Sequence, residues 1–75
     1  MGHTIIYQSK YLQSLDKKIL KIVEKLANGQ KTTKALYIGR GWQGEVYLIP
    51  LGDPEKCLKV AVSKLGTIVK LVNIE

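Results

Sequence analysis

The sequence predicts an α+β fold, with one N-terminal amphipathic helix packed on a four-stranded antiparallel meander. Three observations predict it. From Gln8 to Ala27 the apolar residues recur at spacings of three and four, the period of a helix with one buried face. After Gly29 the texture changes to short β-rich runs, and only a few turn residues separate one run from the next, as antiparallel neighbours require. The length agrees, because 75 residues bury only about 60% of their unfolded surface and supply a single core. We therefore expect one domain over residues 1–75, with 1–7 frayed, a helix over 8–28 and a sheet over 33–74.

The helix is defined by Tyr11, Leu12, Leu15, Ile19, Ile22, Val23 and Leu26, and Asn28-Gly29 should end it as a left-handed cap. Steps of roughly 100° per residue bring Lys10, Lys17, Lys18, Lys21 and Lys25 to the side away from that stripe, with no acid among them. The four strands are read at Thr33 to Gly39, Glu45 to Pro50, Lys56 to Ser63 and Thr67 to Ile74. Leu58, Val60 and Val62 alternate with Lys59, Ala61 and Ser63, which gives the third strand one buried and one wet face. The same alternation assigns Leu36 and Ile38 to one side of the first strand and Ala35 and Tyr37 to the other. With no Phe in a chain that is 45% apolar, Leu, Ile and Val must fill the core.

Composition excludes several classes of function. Cys57 is the only cysteine and His3 the only histidine, so neither an internal disulfide nor a zinc site, which takes about four ligands, is expected. No cofactor is expected either. No apolar stretch approaches the roughly 20 residues of a membrane span, and the N-terminus lacks the charged, apolar and small-residue regions of a signal peptide. Met1-Gly2 opens like a myristoylation site, but Ile6 stands where Ser or Thr is wanted. A cytoplasmic protein without a membrane partner is the expectation. The acids Asp16, Glu24, Glu45, Asp53, Glu55 and Glu75 are scattered, and no nucleophile stands in a recognisable catalytic set, so no enzyme activity is expected.

The charge is uneven along the chain. Of the formal net charge of +6, all resides in residues 1–40, where seven lysines and Arg40 oppose Asp16 and Glu24, while residues 41–75 are neutral. A one-sided excess of this kind suits an anionic partner. The lysine face has two readings: a track for phosphates, or an ordinary solvated helix face, since lysine is a good helix former. The lack of interleaved glutamates favours the track, because solvated faces usually mix signs to gain i,i+4 pairs.

A second constellation is aromatic. Tyr37, Tyr47 and Trp42 fall on two adjacent strands and their turn, near Arg40, Lys34 and Lys59 in the expected fold. Such side chains form a platform on which single-stranded bases stack, or else a cross-strand tyrosine pair with the indole folded onto the core. Together these features predict a small basic nucleic-acid-binding module, DNA or RNA, contacting the backbone through Lys17, Lys21, Lys25, Lys31, Lys34 and Arg40 and the bases through Tyr37, Trp42 and Tyr47. An accessory protein-interaction subunit is the alternative, docking on an acidic surface or pairing with itself as a homodimer. Leu20, outside the main apolar stripe, marks a second contact on that reading.

A third constellation is the turn Gly39-Arg40-Gly41-Trp42-Gln43-Gly44, followed by Glu45-Val46-Tyr47. It resembles the glycine-rich loop of the protein-kinase family, in which two strands and their loop fold over ATP phosphates. Leu58 to Leu65 and Thr67 to Val72 are similar to the family's third and fourth strands, so the likeness covers residues 36–74. It implies a small-lobe-like sheet with a phosphate-binding turn at Gly39, Gly41 and Gly44. Departures are substantial. Aligning Val60-Ala61-Val62 with the family's third strand puts Ser63 in place of the phosphate-pairing lysine, leaving Lys59 or Lys64 to substitute. The helix between those strands, its glutamate, the catalytic loop and the D-F-G sequence are missing, so the resemblance implies no phosphoryl transfer by this chain alone.

Overall fold

A computed structural model describes residues 4–42, 44–52 and 55–73, apart from the side chain of Tyr11. The chain begins with strand β1, Ile5–Tyr7, then a 3-10 turn, Lys10–Ser14, and helix α1, Lys17–Ala27. Four strands follow: β2, Leu36–Gly41; β3, Gly44–Pro50; β4, Lys56–Ser63; and β5, Gly66–Asn73. They form one five-stranded sheet in the order β1-β5-β4-β3-β2. The α+β class stands, but the four-stranded antiparallel meander is corrected to a mixed sheet. β2 to β5 do form an antiparallel meander, and β1 adds to its far edge in parallel with β5.

The correction has a physical origin. Residues 5–7, expected to fray, satisfy the outer edge of β5: the Thr67 N–H donates to the Thr4 carbonyl at 2.8 Å, and the Gln8 N–H to the Val69 carbonyl at 3.0 Å. Gly66 permits this approach. Its φ is +151° and an added Cβ would lie 3.0 Å from the Thr4 carbonyl oxygen, a tight contact in a conformation that side-chain-bearing residues avoid.

The helix is also shorter than the expected span of 8–28. Lys10 to Ser14 turn as a 3-10 segment, and the α-helix starts at the Asp16 N-cap, whose Oδ1 accepts from the Lys18 N–H at 3.0 Å. A carboxylate there satisfies an otherwise orphaned N–H and complements the helix dipole. At the other end the Gly29 N–H donates to the Leu26 carbonyl and the Gln30 N–H to the Lys25 carbonyl, the paired bonds of a Schellman cap.

One face of the sheet is covered. Leu12 from the 3-10 turn and Val23 and Leu26 from α1 pack on Ile49, Leu58, Val60 and Val69. The register puts Tyr47, Val60 and Val69 on this face, with Tyr7 from β1. Spans of the meander differ from expectation chiefly at β2, which begins at Leu36 and not Thr33. A bulge between Tyr37 and Gly39 breaks the expected alternation. Before the bulge the register already turns Leu36 to the open side, opposite Leu48, and Tyr37 to the covered side, opposite Tyr47, the reverse of the expected assignment; Leu36 and Ile38 are exposed.

Candidate nucleic-acid interface

The α1 stripe that faces the sheet fixes where its lysines go. Lys18, Lys21 and Lys25 follow one another at i, i+3 and i+7, so they form one ridge along the helix. The chain leaving the Gly29 cap runs back beside that ridge, and Lys31, Thr32, Thr33 and Lys34 form the opposite wall of an open groove of about 590 Å³ with Ile22 between the walls. The Thr32 Oγ1 accepts from the Lys34 N–H at 3.2 Å, which holds the second wall in a local turn.

Five lysines thus line one groove, and among the described residues no acid lines it with them. The two acids of the first half of the chain are placed elsewhere. Asp16 caps the helix, and Glu24, which does not line the groove, adds its charge to burial in raising the Tyr7 hydroxyl above its ordinary value. A concentration of like charge with two hydroxyls and no counter-charge has the chemistry of a phosphate-binding track: several point cations attract successive phosphates, and hydroxyls donate to their oxygens.

The groove gathers four of the six expected backbone contacts: Lys21, Lys25, Lys31 and Lys34. Lys17, exposed at the first turn of α1, lies outside it, as does Lys10 on the 3-10 turn. Arg40 is placed on β2 opposite Glu45. Lys18 belonged to the expected lysine face but not to the expected contacts; its i+3 and i+7 relation to Lys21 and Lys25 is the signal that finds it. Thr32 and Thr33 carried no signal in the sequence.

The aromatic residues divide between two places. Tyr37 and Tyr47 form a cross-strand pair on the covered side, with ring centroids 5.3 Å apart and planes tilted by 56°. The Tyr47 hydroxyl donates to Glu45 Oε2 at 3.4 Å, and burial followed by the Glu45 charge pushes its pKa up. Tyr37 is half exposed. Trp42 is fully exposed at the β2–β3 turn and lines a different cleft, with Ile6, Leu65 and Ile68. Lys59 points to the open face, being in register with Leu48 and Lys70 and displaced from Val60 by one residue.

Each glycine of the 39–44 turn has a backbone setting. Gly39 sits at the β2 bulge and Gly41 pairs with Gly44 at the mouth of the hairpin; Gln43 lies outside the described residues. Gly44 has φ of +101°, and a Cβ there would overlap the Val62 carbonyl oxygen and lie 2.9 Å from Ser63 Cα. This close approach lets β3 run against β4 to the end of the hairpin.

Among the described residues no group of three or more His, Cys, Asp or Glu side chains is placed to hold a metal, and no helix is long and apolar enough to cross a membrane. Cys57 is buried, which pushes its thiol pKa up and keeps it protonated at neutral pH. No protein-family model matches the chain, and neither a curated protein nor a solved structure matches it.

Proposed function

We propose that this chain is a non-catalytic nucleic-acid-binding module that holds a phosphate backbone in the groove between α1 and residues 31–34. The supporting observation is the convergence of five lysines on one groove that no acid among the described residues lines. Backbone binding of this type is independent of sequence and is common to DNA and RNA. Tyr37 extends the reading: it is half exposed, three residues beyond Lys34, and offers a ring to an unstacked base leaving the groove.

The test is anisotropy of labelled single-stranded and duplex oligonucleotides across a salt series. With all five lysines engaged, the log–log slope should approach about −4.5 for duplex and about −3.5 for single strands. Lys21→Gln should reduce the slope by about one and weaken all sequences alike. A flat salt dependence would remove the proposal. With ATP as a parallel titrant, amide shifts confined to residues 39–44 would move the anion site to the glycine turn.

A further inference from the structure

Two hairpin turns meet at one end of the sheet. The β2–β3 turn carries Trp42 and the β4–β5 turn carries Leu65. Both side chains stand almost wholly in solvent, 105% and 96% exposed, so neither serves the core. Together they line a cleft of about 430 Å³, to which Ile6, itself half exposed, and Ile68 also contribute. Ser63 shapes the wall that carries Leu65: its hydroxyl donates to the Gly66 carbonyl and accepts from the Leu65 N–H, both at 3.2 Å. A second depression, of about 600 Å³, shares Trp42 and Lys64 with the cleft and adds Arg40 and Glu45. The indole therefore stands between an apolar hollow and a charged one. The edge strand β2 joins this end of the sheet to the lysine groove. Lys34, Tyr37, Arg40 and Trp42 are exposed along it, with Tyr37 and Arg40 opposite Tyr47 and Glu45 on the helix side. Helix α1 lies against β4 and β5, which leaves that side of β2 accessible.

We propose that the Trp42–Leu65 cleft takes one unpaired base of a single strand whose backbone runs along β2 from the groove, with the phosphate of that nucleotide on Arg40 and Lys64. The two hollows ask for a ligand that is flat and apolar at one end and anionic at the other, which describes a nucleotide. An exposed aromatic face beside cations is what base stacking uses, and Leu65 faces Trp42 across the cleft to hold the other side of the ring. An apolar peptide side chain would fill the cleft and leave Arg40 and Lys64 unmatched. A duplex reaches the cations, but its bases stay stacked on one another and enter the cleft only by being extruded. Glu45 is the acid beside the phosphate position; it stands opposite Arg40 and accepts from the Tyr47 hydroxyl at 3.4 Å, and its charge opposes the phosphate. The cleft stands on its own geometry, whereas its connection to the strand in the groove rests on the proposed function.

Trp42 is the only tryptophan of the chain, so its emission reports on the cleft alone. A 5′-mononucleotide and a short single strand should quench it, a duplex of the same sequence should not, and a nucleoside without its phosphate should bind more weakly than the mononucleotide. By anisotropy, Trp42→Ala should weaken the single strand about tenfold to a hundredfold, the worth of one stacked base, and leave duplex affinity unchanged, while Trp42→Phe should restore most of the loss. Glu45→Gln should tighten the single strand about twofold, as removal of one exposed like charge requires. Equal quenching by duplex, silence with every single strand, or unaltered affinity of Trp42→Ala would overturn the proposal. So would emission that responds to anionic lipid vesicles and not to oligonucleotides. A silent Trp42 with a salt slope that Lys21→Gln still lowers removes the cleft and spares the groove. Quenching by single strands with no salt dependence at Lys21 supports the cleft and removes the groove.

Discussion

The two faces of the sheet differ in what finishes them. On the helix side, Leu12, Val23 and Leu26 close over the strands and the apolar surface is consumed within the chain, while the lysines are carried outward to the groove. On the opposite side Val46, Cys57 and Ala61 are small enough to be buried among their neighbours, yet Ile6 remains half exposed and Trp42 and Leu65 wholly so. The helix side therefore carries a lysine-lined groove over a complete core, and the opposite side leaves large apolar side chains exposed beside Lys59 and Lys70. Stability should follow the first face and association the second.

The sharpest way to break that comparison is to cut into both faces and compare the losses. Leu12 is fully buried, so Leu12→Ala should destabilise by about 2–5 kcal/mol, read from denaturant unfolding; a smaller loss would mean that the 3-10 turn is not part of the core. Asp16→Ala removes the cap of α1 and should cost about 1 kcal/mol, lowering the melting temperature without changing the sheet. Leu65→Ser at the bare end should change stability by no more than about 0.5 kcal/mol. If it proved as costly as Leu12→Ala, the open face would be a structural surface and the contrast would collapse.

Much of this contrast was legible in the sequence. The stripe through Ile19, Ile22, Val23 and Leu26 declared the face of α1, Asn28-Gly29 its end, and the alternation from Lys56 to Ser63 the span of β4, each because a period or a cap is a local property. What escaped was non-local. Three residues, Ile5 to Tyr7, have no measurable period, and only the unpaired edge of β5 makes them a strand. On β2 the alternation of Leu36 and Tyr37 holds, but it could not say which side the helix covers, and pairing with Leu48 puts Leu36 on the open side; the bulge after Tyr37 then ends the alternation. For the candidate interface, four of the five groove lysines were expected as contacts: helical spacing collects Lys21 and Lys25 on α1, and the one-sided charge of residues 1–40 brings in Lys31 and Lys34. The placement of Trp42 beside Ile6 and Leu65 joins three distant segments, and no spacing rule reaches that far.

The parallel seam of β1 with β5 bears on how the molecule assembles. The meander closes through short turns, so its contacts are local and inexpensive in loop entropy, whereas Ile5 meets Thr67 only after nearly the whole chain has been drawn together. Folding should therefore zip from the hairpins outward and finish at the seam. Thermal or denaturant-driven opening should begin there, with the amides of Thr67 and Gln8 exchanging their protons before those in the middle of β4.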